Sequence, residues 1–125
     1  MANHENIWEV HKFGGSSLAS AQLFKNVAEI LKSVSTSKKA CVVSAIGGVT
    51  DLLTEAAHLA KNSNYQAVFK KIKKKHFDII ESLLEKPFQE RIKKVLLKDF
   101  EGLENIFKTI GMSKLFSENI KEVIT

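Results

Sequence analysis

Trp8-Glu9-Val10-His11-Lys12-Phe13-Gly14-Gly15-Ser16-Ser17 decides how the chain is read: a short run of apolar and polar residues breaks into two glycines and two hydroxyls, and a helical pattern follows. A strand ending in paired glycines lets backbone approach an anion, because no Cβ stands in the way and positive φ is open at both positions. Lys12 puts an ammonium beside the same spot, and the helix beyond adds unpaired N–H groups and a positive dipole end. Phosphate is the ligand that suits this chemistry. The stretch has neither the Gly-x-x-x-x-Gly-Lys of a P-loop nor the third glycine of a dinucleotide fingerprint. A strand-to-helix turn that simply needs glycine reads the same way.

Working outward, Ile7 to Phe13 is expected as the first strand, with Trp8, Val10 and Lys12 on one face and Ile7, Glu9, His11 and Phe13 on the other. Ser20 can cap the next helix, whose stripe is Leu23, Phe24, Val27, Ala28, Leu31 and Val34; the hydroxyl-rich run Ser33 to Ser37 should end it. Lys39 to Ala45 is a continuous apolar run rich in β-branched residues, which predicts a buried central parallel strand. Cys41, the only cysteine, lies inside that run and is expected as a small buried hydrophobe. Strand, helix and strand make a right-handed crossover, and in such sheets ligands bind beyond the carboxyl ends of the strands. Ser44-Ala45-Ile46-Gly47-Gly48-Val49-Thr50-Asp51 is a second glycine loop at such an end, so the two loops should meet at one crevice. Read structurally, Thr50 or Asp51 is the N-cap of a helix carrying Leu52, Leu53, Ala56, Ala57 and Ala60.

From Asn62 the pattern changes to sustained helical spacing. Tyr65, Val68, Phe69, Ile72, His76, Ile79, Ile80, Leu83 and Leu84 form one stripe, opposite Lys70, Lys71, Lys73, Lys74 and Lys75. Pro87 separates this from a second helix with Phe88, Ile92, Val95, Leu96, Phe100, Leu103, Ile106, Phe107 and Ile110 as its stripe, and the two should pack as an antiparallel hairpin. Gly111 is expected to stop the second helix, and Ser117 to cap a last short one. Residues 61–98 hold 11 Lys and Arg against 4 Asp and Glu, a net of +7 within a chain of +5. The lysines lack interleaved aromatics, which favours a solvated face over a nucleic-acid surface.

At 125 residues and 44% hydrophobic, the chain can bury one respectable core. No apolar run approaches the ~20 residues of a membrane span, and the first six residues lack the pattern of a targeting segment, so a cytoplasmic location is expected. One cysteine permits neither an internal disulfide nor a thiolate metal cluster, and His4, His11, His58 and His76 have no ligand spacing. No Ser-His-Asp arrangement and no acidic cluster is legible.

Lys12-Phe13-Gly14-Gly15-Ser16-Ser17 resembles the opening motif of aspartokinases, and His11 with Leu18-Ala19 extends the similarity toward the aspartokinase half of bifunctional aspartokinase/homoserine dehydrogenases. The Ser44-Ala45, glycine, Thr50-Asp51 segment resembles a second aspartokinase motif in the same order. The resemblance implies an α/β fold: an amino-acid-kinase-like parallel sheet with flanking helices, N-terminal portion only, followed by a mostly helical hairpin. Residues 1–61 would hold the phosphate and substrate loops and residues 62–125 the helical segment. It implies transfer of the γ-phosphoryl group of ATP to the β-carboxylate of L-aspartate, giving 4-phospho-L-aspartate for lysine, threonine and methionine synthesis. Lys12 would be the catalytic residue, offsetting charge on the transferring group. Lys12, Gly14, Gly15, Ser16, Ser17 and Ser44 would hold ATP phosphates, and Ser44, Ala45 and Thr50 would hold aspartate. Mg2+ would be bound mainly through the nucleotide phosphates and by residues outside this chain. Ser16 stands where most of the family has Thr and keeps the hydroxyl. The family's kinase domain continues well past the matched region, so the expectation is an N-terminal fragment that is inactive alone and associates into homo-oligomers through unpaired sheet edges. Its partners would be ATP and L-aspartate, with no nucleic acid and no membrane. The alternative is a non-catalytic aspartokinase-like lobe that serves binding or assembly.

Overall fold

The computed structural model describes residues 7–124, Ile124 by its backbone only. The chain divides into two compact units, Met1–Gly48 and Val49–Thr125. In the first, β1 (Glu9–Phe13) and β2 (Lys39–Val43) pair in parallel, with Glu9 opposite Lys39, His11 opposite Cys41 and Phe13 opposite Val43. The ladder runs one step past β2, where the Ser44 N–H donates to the Phe13 carbonyl at 3.1 Å. A 3-10 turn (Gly15–Leu18) leads to α1 (Ala21–Ser33), which is capped as the sequence predicts: the Ser20 hydroxyl accepts from the Leu23 N–H at 3.2 Å. Phe13, Leu18 and Val27 form the core of this unit, with Phe24 and Leu31 packed on it. Burying each such side chain contributes roughly 1.5–3 kcal/mol. Thr36 is buried beneath the start of the sheet, its hydroxyl donating to the Ile7 carbonyl at 3.0 Å and accepting from the Lys38 N–H at 3.2 Å. Lys39 Nζ donates to the Leu31 carbonyl at 2.8 Å, satisfying an orphan acceptor at the α1 C-terminus.

Three expectations are corrected in this unit. β1 begins at Glu9 rather than Ile7, and β2 ends at Val43 rather than Ala45. β2 is not a buried central strand, since β1 is its only partner in the described sheet and Lys39, Cys41, Val42 and Val43 are exposed. Cys41 is likewise exposed rather than a buried hydrophobe. The exposure of β2 and of Cys41 has one physical reason: a β-branched run encodes burial on both faces, but this two-stranded sheet supplies core only on the face that carries Phe13.

The second unit is helical throughout: α2 (Val49–Ala60), α3 (Gln66–Leu83) and α4 (Lys86–Ile124). Its core is aromatic. Phe69 packs edge-on against Phe100 and Phe107 at centroid distances of 6.2 and 6.0 Å, and Tyr65 tilts onto Phe107 at 5.2 Å. Tyr65 meets Phe107 near the start of α3, and Phe77 meets Phe100 farther along, so the chain direction reverses as the sequence predicts. The connection is tight. Gln89 Nε2 donates to the Leu84 carbonyl at 2.6 Å and the Glu81 carbonyl at 3.3 Å, and Lys93 pairs with Glu81 at 2.8 Å. His76 is a satisfied boundary histidine, with Nδ1 2.7 Å from the Ile72 carbonyl and its ring edge-on to Phe100.

Two helix boundaries differ from expectation. Gly111 does not stop α4, and Ser117 does not cap a separate helix, because α4 runs unbroken through both. A glycine stop needs left-handed backbone, and among the described glycines only Gly48 has it, at φ 85°. Gly111 instead provides space: a Cβ there would lie 2.7 Å from Ser63 Oγ and 2.9 Å from the Ala60 carbonyl. Ser63 has φ 59°, the left-handed turn that brings the α2–α3 connection against α4. The second boundary is the start of α2. Thr50 and Asp51 do not cap it but lie in its first turn, since left-handed Gly48 turns the chain earlier. Asp51 there favours the positive helix end through its charge. The stripe of α4 is also only partly buried: Phe100 and Phe107 are in the core, whereas Phe88, Ile92, Val95 and Ile106 are exposed.

Candidate phosphate-binding site

The first glycine loop leaves β1 through Gly14, which is extended at φ −78° and ψ 176°. That conformation is open to any residue, so Gly14 is not demanded by its backbone. A Cβ at Gly14 would meet nothing within 4 Å, and the approach to its backbone is free. Gly15, Ser16 and Ser17 then form the 3-10 turn, closed by the Ser17 N–H donating to the Gly14 carbonyl at 3.0 Å.

The two loops converge as the crossover argument requires. A Cβ on Gly15 would stand 3.6 Å from the Ala45 carbonyl, 3.7 Å from Gly47 Cα and 4.0 Å from Ser44 Oγ. A Cβ on Gly47 would stand only 2.8 Å from Ala19 Cβ and 2.9 Å from the Gly15 carbonyl. Gly47 is therefore a packing glycine that lets the second loop lie against the first. Sequence reading placed it in the loop without assigning it that role; a second Gly-Gly pair at a strand end was the available signal.

Lys12 is exposed in β1, paired in register with Val42, and among the described residues it makes no ion pair or hydrogen bond. Successive strand residues point to opposite faces, so Lys12 lies on the face opposite Phe13, together with exposed Val10. On the Phe13 side, His11 stacks on Phe13 at 6.3 Å and its Nε2 lies 3.2 Å from Glu9 Oε1. Ser16 and Ser17 line a cleft of about 260 Å³ with Phe13, Leu23, Asn26, Val27 and Ile30. Gly15, Ser44 and Ala45 are thus brought together, Gly14, Ser16 and Ser17 follow Lys12 directly, and Thr50 lies in the first turn of α2 in the second unit.

A family model described as the amino acid kinase family matches residues 8–119. The chloroplastic bifunctional aspartokinase/homoserine dehydrogenase 2 of Arabidopsis thaliana is 27% identical over 120 residues, 94% of this chain and 13% of that protein. An aspartokinase of Chlamydia trachomatis is 36% identical over 108 residues, 86% of this chain and 24% of that protein. Among solved structures, E. coli aspartokinase III in complex with aspartate and ADP superimposes with a TM-score of 0.72 at 24% identity, over 85% of this chain and 23% of that one. The aspartate kinase of Clostridium acetobutylicum does so with a TM-score of 0.63 at 33% identity, over 79% of this chain and 23% of that one. The chain spans a quarter or less of the length of these relatives.

Proposed function

The chain belongs to the amino acid kinase family, and on that premise we propose that it is the N-terminal, phosphate-gripping part of an aspartate kinase. The reaction is transfer of the γ-phosphoryl group of ATP to the β-carboxylate of L-aspartate. The observation that carries this reading is the convergence of two glycine loops in the same unit as a lysine that makes no ion pair among the described residues. Gly47 has no room for a side chain, which fixes the loops together, while Gly14 has open space above it, which is where an anion can reach the backbone.

In this reading the Lys12 ammonium offsets charge on the transferring phosphoryl group, and the Gly14 and Gly15 backbone with Ser16 and Ser17 holds phosphate oxygens. Ser44 and Ala45 stand at the junction of the loops and would lie between nucleotide and aspartate, and Thr50 would be a further aspartate-binding residue. ATP would supply the phosphoryl group, with Mg2+ offsetting its charge. The residues present suit the phosphates: a cation, hydroxyls and open glycine backbone. Residues 1–61 carry these loops and residues 62–125 the helical support.

The test is nucleotide binding to the purified chain by calorimetry, beside a coupled assay for aspartyl phosphate. The chain is expected to bind ATP weakly without turnover, and Lys12→Ala to weaken binding at least tenfold, about 1.4 kcal/mol. ATP binding unaffected by both Lys12→Ala and Gly14→Val would overturn the site. No ATP binding at all, in a folded chain that still self-associates, would favour the second reading, a non-catalytic lobe for assembly, toward which exposed Val10 and Val42 of the sheet, and Trp8 just before it, point.

A further inference from the structure

α4 carries a second apolar stripe that the helical core does not use. Phe88, Ile92, Val95, Ile106, Phe116, Ile120 and Val123 are all exposed, with Phe116 at 66% and Val123 at 87%. Their positions follow a strict alternation of four and three residues once Asp99, Gly102, Thr109 and Ser113 are included. That is the 3.5-residue period of a coiled-coil seam, not the pattern of a solvated helix face. Gly102 lies in the stripe in the middle of a 39-residue helix, where glycine costs roughly 0.5–1 kcal/mol relative to alanine. A Cβ at Gly102 would meet nothing within 4 Å, so nothing among the described residues explains the missing side chain.

We propose that this stripe is a self-association surface, on which α4 pairs antiparallel with α4 of a second copy, crossing near Gly102. A two-fold axis level with Glu104 matches every seam position except Val123 to another: Phe88 with Ile120, Ile92 with Phe116, Val95 with Ser113, Asp99 with Thr109, and Gly102 with Ile106. Such an interface is self-complementary, as two-fold symmetry requires. The gap at Gly102 receives the Ile106 side chain of the other copy, Asp99 faces Thr109, and Ser113 faces Val95.

Charge fixes the direction. Residues 86–98 carry 5 Lys and Arg against 1 acid, a net of +4, whereas residues 105–124 carry 3 against 2, a net of +1. A parallel pair would set +4 against +4, and the antiparallel pair avoids this. The area suffices as well. With roughly 100 Å² from each of the larger exposed side chains, the stripe offers on the order of 700–800 Å² per copy, about what each partner of a standard interface contributes.

Sedimentation of the full chain should show a monomer–dimer equilibrium in the micromolar range. Ile92→Asp with Phe116→Asp should weaken it at least tenfold while leaving the helical circular dichroism intact. Gly102→Leu should weaken the dimer without unfolding the monomer, because the monomer has room for the side chain. In a Cys41→Ser background, Asn105→Cys beside the axis should form an interchain disulfide on mild oxidation, and Arg91→Cys, far from it, should not. A chain that stays monomeric at high micromolar concentration overturns the proposal. So does a dimer that survives the aspartate pair, which would assign association to the open sheet instead.

Discussion

The two units divide chemistry and packing unevenly. Met1–Gly48 holds every candidate site residue except Thr50, yet it leaves Trp8 63% and Val10 65% exposed; Val49–Thr125 holds few motif residues but buries Phe69, Phe100 and Phe107 almost completely. A phosphate grip needs free backbone and a free cation, so its surroundings cannot close over it. A helical hairpin has no such obligation. The difference teaches that in this chain the candidate site is carried by the part least able to pack itself.

The largest expected effect tests that asymmetry directly. Phe107→Ala, at 3% exposure and in contact with two aromatic rings, should cost about 3–5 kcal/mol in a urea titration. Trp8→Ala removes a larger side chain and should move stability by no more than about 0.5 kcal/mol. Comparable losses from the two would mean that the open sheet face is covered in solution.

Within the N-terminal unit, the glycines should separate by role. Gly47→Ala meets a side chain and a backbone carbonyl below 3 Å and should destabilise by about 1–3 kcal/mol. Gly14→Ala should leave the denaturation midpoint alone and act only on phosphate affinity. A stable Gly47→Ala chain with unchanged loops would remove the basis for the convergence of the two loops.

The helical unit carries a pH signature of its own. The Tyr65 hydroxyl donates to Glu104 Oε2 at 3.3 Å, and burial, then the Glu104 carboxylate, raise its pKa above the ordinary 10.0. A folded-state pKa above the unfolded one gives stability that is fully present below pH 10 and is lost as pH rises through the folded value. Tyr65→Phe should cost about 1 kcal/mol near neutrality and flatten the alkaline fall above pH 10. An alkaline limb unchanged by Tyr65→Phe would place its origin elsewhere.

The smallest pair compares two glycines of one helix. Gly102→Ala, measured on monomer, should stabilise by roughly 0.5–1 kcal/mol, whereas Gly111→Ala should destabilise, since its Cβ meets the Ala60 carbonyl at 2.9 Å. The same sign for both would contradict the packing assigned to Gly111.

These glycines also mark what the sequence could and could not tell. Periodicity found each helix, the parallel strand pair and the Ser20 cap, because those rest on local pattern and hydroxyl chemistry. Gly111 read as a stop because composition cannot distinguish a glycine that needs left-handed φ from one that makes room for a crossing turn. Thr50 read as a cap because the Gly48 conformation that pre-empts it is not written in residue type. Cys41 and Val42 read as buried because a β-branched run specifies what it would pack against, not whether that neighbour is present. The stretch from Lys12 to Ser17 could be read as a candidate phosphate grip because its residues are contiguous, whereas the steric role of Gly47 depends on Ala19, far away in sequence.

The pairing of Glu9 with Lys39 has a consequence for how the molecule comes into being. Thirty residues must be gathered before the first bond between the strands forms, and that closure entropy is spent before any contact repays it. The α3–α4 reversal needs only Leu84 and Glu85 between helix ends, so its first contact, Lys93 with Glu81, closes a much shorter loop. The N-terminal strand therefore has no partner to pair with until Lys39 has followed it in the chain.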